Sequence, residues 1–111
     1  VPEYVTAEDL GALVGPAAAA TRVQLAVDAA NALIPTWCPQ KATGDPPVAP
    51  DPPVNPITQQ AALELAHELF RAHAAVGGIF NVDELLGRLP ADRVRPIRDL
   101  LDAVTGVWGL A

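Results

Sequence analysis

The stretch Ile57-Thr58-Gln59-Gln60-Ala61-Ala62-Leu63-Glu64-Leu65-Ala66-His67-Glu68-Leu69-Phe70-Arg71-Ala72-His73-Ala74-Ala75 decides the fold. Ala62, Leu65, Ala66 and Leu69 recur at spacings of three and four, so on a helix they share one face, which Val76 continues. Leu63, Phe70 and Ala74 make a second apolar face, leaving Gln60, Glu64, Glu68 and Arg71 as a solvent strip. Most of these residue types are strong helix formers. Asn55 and Pro56 precede the run as N-cap and first-turn proline. The apolar arc is wide, as it is on the helix that precedes it, where the arc exceeds what one neighbouring helix covers and burial on two sides is expected.

Upstream, eight of the twelve prolines fall between Pro35 and Pro56, around Thr43-Gly44-Asp45. Loops of this length in small domains carry function or remain without fixed structure, and proline stiffens them toward extended backbone. An arm lying on a neighbouring molecule is expected. Before it, Pro16 to Leu33 reads as a second helix. Val23, Ala26, Val27, Ala30, Leu33 and Ile34 form one face of it, and Leu25, Ala29 and Ala32 a second. Thr21, Gln24, Asp28 and Asn31 form the polar stripe between them. Gly15-Pro16 separates this helix from a short first one, Ala7 to Val14, which Thr6 caps and Glu8 and Asp9 favour in its first turn.

Downstream, Gly77-Gly78 ends the decisive helix, and Asn81-Val82-Asp83-Glu84 has the form of a capping box for a short helix from Val82 to Arg88. Leu89-Pro90 opens the last segment. Val94, Ile97, Leu100, Leu101 and Val104 keep helical spacing there, with Pro96 expected to begin the main helix. Gly106 to Ala111 forms an apolar tail. Windows of alternating polarity and Asn-Gly or Asp-Gly hairpin turns are absent. The expected fold class is all-α, a bundle of four to five helices in one domain over residues 1–111. The Pro-rich arm occupies 35–56 and the extended C-terminal tail 106–111.

A domain of 111 residues buries roughly two thirds of its unfolded surface, and this one draws much of its apolar content from alanine. Partners are therefore expected to supply buried surface. The net charge of -6 argues against gripping nucleic acid through phosphate neutralisation. No apolar run approaches the ~20 residues that cross a bilayer, so no membrane partner is expected. Val1 to Tyr4 shows neither part of a signal peptide, which points to action in a cytoplasm.

Chemistry is hard to find. His67 and His73 are six apart and do not share a helix face, so they make a poor metal pair. Cys38, the sole cysteine, follows Ile34-Pro35-Thr36-Trp37 with no announced base. It reads with Trp37 as the anchor of the arm rather than as a nucleophile. Asp83 and Glu84 are explained by capping, and Asp99 and Asp102 by an exposed face. Gly77-Gly78 lacks the rest of a phosphate-binding loop. No catalytic, cofactor-binding or metal-binding residue is assigned, no cofactor is required, and the chain is read as non-enzymatic.

Surfaces are better marked. Arg88, Arg93, Arg95 and Arg98 concentrate positive charge in eleven residues, which suits a subunit contact better than DNA. Leu25, Ala29, Leu63 and Phe70 lie on the second apolar faces and join Arg93, Arg95 and Arg98 as candidate subunit-interface residues. Val107, Trp108 and Leu110 form an apolar tail flanked by glycines, suited to docking into a partner or to folding back on the core.

The order of these signals resembles the head-to-tail adaptor, or head-tail connector, family of tailed bacteriophages. Val5-Thr6-Ala7-Glu8-Asp9-Leu10 opens a short helix, and an alanine-rich helix and a variable loop follow. Ile57 to Ala66 is similar to the third helix of that family, and Leu89-Pro90-Ala91 through Leu100-Leu101 to its C-terminal helix. The resemblance implies a structural protein of the virion neck, assembled in the host bacterial cytoplasm. It implies a homo-oligomeric ring, commonly a dodecamer, that joins the portal protein to a stopper or tail-completion protein. Genomic DNA would pass through its channel without sequence-specific binding. The loop from Pro35 to Pro56 is richer in proline than the family leads one to expect, and the tail, as the portal-docking element, has no secure counterpart in it, so the roles of both rest on the residues alone. A small cytoplasmic partner-binding module, such as an antitoxin or regulatory subunit, would use the same apolar helices for a heterodimer.

Overall fold

In the computed structural model, residues 3–16, 18–76 and 89–103 are described, with backbone alone at 73–76. Among them the chain is all-helical: α1 (Ala7–Val14), α2 (Ala20–Trp37), α3 (Pro56–Val76) and α4 (Ala91–Asp102). The only β pairing among these residues is an isolated antiparallel bridge between Thr43 and Val48. The expected helix from Val82 to Arg88 and the 106–111 tail lie outside the described residues.

α1 begins as its sequence dictates. The Asp9 N–H donates to Thr6 Oγ1 at 3.1 Å and the Thr6 N–H to Asp9 Oδ2 at 3.2 Å, a closed capping box. It ends at Gly15, whose φ of 90° is open to glycine at little cost.

α2 is displaced from the expected 16–33 to 20–37. Gly15 leaves α1 with ψ 166°, so Pro16 continues in a turn and not in a first helical turn. The other end passes through Pro35, because only the last turn follows it and few backbone bonds are lost there. The loop accordingly begins after Trp37. α3 matches its sequence reading, with Asn55 Oδ1 accepting from the N–H groups of Ile57 and Thr58 at 3.0 Å each.

α4 begins at Ala91, not at Pro96, with Pro90 as its N-cap. The Arg93 and Val94 N–H groups both donate to the Pro90 carbonyl, closing the first turn before Pro96 is reached. An interior proline costs about 3 kcal/mol. Burial of Ile97 and Leu101, each at most 1% exposed, works against that cost, as tertiary packing commonly does for short helices.

α2 packs chiefly on α3, α4 also packs on α3, and α1 contacts both α2 and α3. On α3 the buried Thr58, Ala61, Ala62, Leu65, Ala66 and Leu69 follow one another at helical spacing and make one face, while Leu63 and Phe70 of the second apolar face are only partly buried. Val23, Ala26, Val27, Ala29, Ala30 and Ile34 of α2 join the same core, with Tyr4, Val5, Leu10 and Cys38. Many of the facing positions are alanine, so the shared layer is thin.

Candidate assembly surface

Asn31, read from the sequence as part of a narrow polar stripe, is buried, with only 6% of it exposed. Its Oδ1 accepts from the backbone N–H groups of Tyr4 (2.9 Å) and Val5 (3.1 Å), and its Nδ2 donates to the Val5 carbonyl (3.0 Å). One amide side chain thus satisfies three backbone groups of a leader segment that has no secondary structure of its own. Beside it, Glu3, Thr6, Gln24 and Asp28 border an open cleft of about 380 Å³. Gln24 Nε2 donates to Asp28 Oδ1 there at 2.7 Å.

The seated leader reaches the arm. The Tyr4 hydroxyl donates to the Pro52 carbonyl at 2.6 Å, and burial, reinforced by the charge of Asp51 and by Cys38, pushes its pKa up to about 12. A raised phenol pKa means that folding favours the neutral form. Its contribution is complete below the unfolded value of about 10 and is lost as pH climbs toward 12. Tyr4 is the sole tyrosine. Phenolate absorbance of the folded protein should therefore rise with a midpoint near 12, while stability declines between pH ~10 and ~12. A midpoint at the ordinary value would show that the ring is solvated.

Beyond Pro52 the arm is open to water, with every residue from 41 to 51 exposed and Val48 at 66%. Its tip is ordered by two backbone bonds between Thr43 and Val48, of 3.0 and 2.9 Å, around Gly44 at φ 95°. At the α3 end, Thr58 Oγ1 donates to the Pro53 carbonyl at 2.8 Å and accepts from the Asn55 N–H at 2.9 Å.

Trp37 and Cys38, expected to anchor the arm, stand where α2 meets the end of α4. The Cys38 thiol is fully buried and donates to the Leu101 carbonyl at 3.5 Å. Burial raises its pKa, an effect that the Gln40 hydrogen bond offsets and the Asp102 charge adds to. A buried thiol held in its neutral form is a poor nucleophile at neutral pH. The Arg98 guanidinium lies 4.4 Å from the Trp37 ring centre, a cation–π contact that ties α4 to the foot of the arm.

The remaining interface candidates separate by burial. Ala29 is buried, Leu63 and Phe70 pack partly against the core, and Leu25 stays 46% exposed. Arg22 stacks over Phe70 at 4.8 Å, with Nε and Nη2 buried and without a hydrogen-bond acceptor. Arg93 lies 3.6 Å from Glu68, which also faces Arg71 at 3.7 Å. Pairs as exposed as these contribute ~0–1 kcal/mol. Arg95 is exposed. Val107, Trp108 and Leu110 lie outside the described residues, as do Arg88, Asp83 and Glu84.

His67 shares a groove of about 300 Å³ with Glu64, Glu68, Asp92 and Arg93, where charges of both signs meet without a nucleophile beside them. Among the described residues no three His, Cys, Asp or Glu side chains are grouped to hold a metal ion, and no helix is long and apolar enough to cross a membrane. The roles of Tyr4, Asn31 and Thr58 were missed in the sequence, because each acts on a backbone group distant in sequence or inside a cap. A polar residue facing the boundary of an apolar stripe was the one available signal for Asn31. Compared with family models, curated proteins and solved structures, the chain matches none.

Proposed function

We propose that this chain is a structural subunit that assembles side by side into a ring at the head-to-tail junction of a tailed bacteriophage, between portal and stopper, as a passage for DNA. The observation that carries the reading is the arm: an eleven-residue exposed stretch, 41–51, leaves a small helical body and returns to it at Pro52. An ordered tip with Val48 in water is suited to lie on a second copy, where its apolar surface would leave solvent. Leu25, Leu13, Val54 and Ile57 add further apolar surface outside the core. In this reading Leu25, Leu63, Phe70, Arg93, Arg95 and Arg98 face neighbouring subunits, whereas Ala29 belongs to the core; Trp37 and Cys38 root the arm, and Val107, Trp108 and Leu110 dock into the portal. A closed ring of identical chains needs two different complementary faces per subunit. An acidic chain lets DNA slide without holding it.

Lys41, the only lysine, stands in the arm and makes a direct test available. A lysine-specific protease should cut the isolated subunit once. Cutting should slow by ~10-fold or more on assembly, alone or with portal rings, because a segment held in a contact must first open. Light scattering and electron microscopy would read ring formation in the same samples. A small complex with an unrelated host protein, and Lys41 cut at one rate throughout, would replace this reading with that of a partner-binding module.

A further inference from the structure

Two segments distant in sequence meet at Tyr4. Its backbone and that of Val5 are held by Asn31 of α2, across 27 and 26 residues, through the three bonds described above. Its hydroxyl reaches 48 residues along the chain, to Pro52, where the exposed arm becomes buried. The Thr58 bond to Pro53 belongs to the cap of α3 and holds the following residue. The connection from α2 to Pro52 thus runs from Asn31 through the leader backbone and the Tyr4 ring.

We propose that the leader and the arm form one latch: Asn31 seats the leader, and the seated leader holds Pro52 through the Tyr4 hydroxyl. Unseating the leader frees the arm, and a partner that draws the arm off the body loosens the leader. The second half follows from the first, since coupling between two docked segments is reciprocal in free energy. Two features suit the device. The Tyr4 ring is 2% exposed, so its hydroxyl is aimed by packing, and the bond it makes is single and local. One hydrogen bond of this kind shifts a local equilibrium about 2- to 10-fold, enough to bias the arm without fixing it. The latch is a property of the isolated subunit and stands whether or not the chain forms a ring.

The test uses the full chain as Tyr4→Phe, which keeps the buried ring and removes the hydroxyl. Amide relaxation should show greater motion at Ala49 and Asp51. Hydrogen exchange at the Val5 amide, which donates to Asn31, should quicken about 2- to 10-fold while the Leu65 amide exchanges as before. Asn31→Ala should loosen Ala49 and Asp51 in the same way, although Asn31 bonds to the leader and not to the arm. Where that variant does not fold, Asn31→Asp replaces it: the carboxylate keeps an acceptor for the Tyr4 and Val5 N–H groups and sets a second, charged acceptor against the Val5 carbonyl in place of the Nδ2 donor. An arm that loosens while Val5 exchange is unchanged overturns the coupling, as does no change at either place. Quickening of all amides together, Leu65 included, also overturns it, since the hydroxyl would then serve global stability only.

Discussion

Asn31→Ala should lower the stability of the isolated subunit by about 3 kcal/mol, since three buried backbone groups lose their partner at about 1 kcal/mol each. Those groups are the Tyr4 and Val5 N–H and the Val5 carbonyl, and both residues are 2% exposed. The loss cannot be repaired by water unless the leader leaves its seat, which uncovers the two side chains instead. For a domain of this size each kcal/mol moves the unfolding temperature by about 4–8 °C, so the midpoint should fall by more than 10 °C. Asp28→Ala, one turn earlier and exposed, is the comparison and should change stability by less than about 0.5 kcal/mol. Urea or thermal unfolding of the two variants decides. Equal, small effects would mean that the leader is not seated in solution.

Leu65→Ala should cost about 3 kcal/mol for a different reason. Leu65 is 0% exposed on α3, the helix that contacts each of the others, and truncation opens a cavity that the surrounding alanines are too short to fill. Measured losses for such changes span about 2–5 kcal/mol, with larger values where the site cannot collapse. Leu25→Ala tests the opposite property. With 46% of its surface in water, Leu25 contributes little to the isolated subunit, and its truncation should shift stability by under about 1 kcal/mol. If Leu25 faces a neighbour, the same change weakens assembly while the monomer unfolds normally. A large monomer effect at Leu25, or none at Leu65, would show that the division between core and surface is misplaced.

How much could be read from residues alone depended on the range of the interaction involved. Ala7–Val14 and the helix from Pro56 were legible because capping box, first-turn proline and periodicity are local and agree with one another. The start of α2 was misplaced by four residues because Pro16 is equally at home in a turn, and the Gly15 dihedral decides between the two. The start of α4 was misread because a proline signal was weighed above burial. Ile97 and Leu101 hold a helix that local propensity alone would have begun later. Asn31 read only as one member of a polar stripe, since its partners lie 26 and 27 positions away. The candidate surface was legible as residue types, apolar at Leu25 and basic at Arg95. Arg98 and Arg93 proved to have intramolecular contacts, with Trp37 and Glu68, that no spacing rule announces.

The alanine layer shared by α2 and α3 sets a limit on how this subunit can respond to load. Ala26, Ala29 and Ala30 on one helix and Ala61, Ala62 and Ala66 on the other are all buried, and an alanine has no rotamer to exchange. Where the seam is alanine it has no alternative side-chain packing, and the rotamers of Val23, Val27, Ile34, Leu65 and Leu69 beside it are confined by burial, so the two helices are expected to move as one body. Elastic give is left to the leader and the proline-rich arm, so a strain imposed on the molecule would be taken up at its periphery and leave the paired helices unchanged.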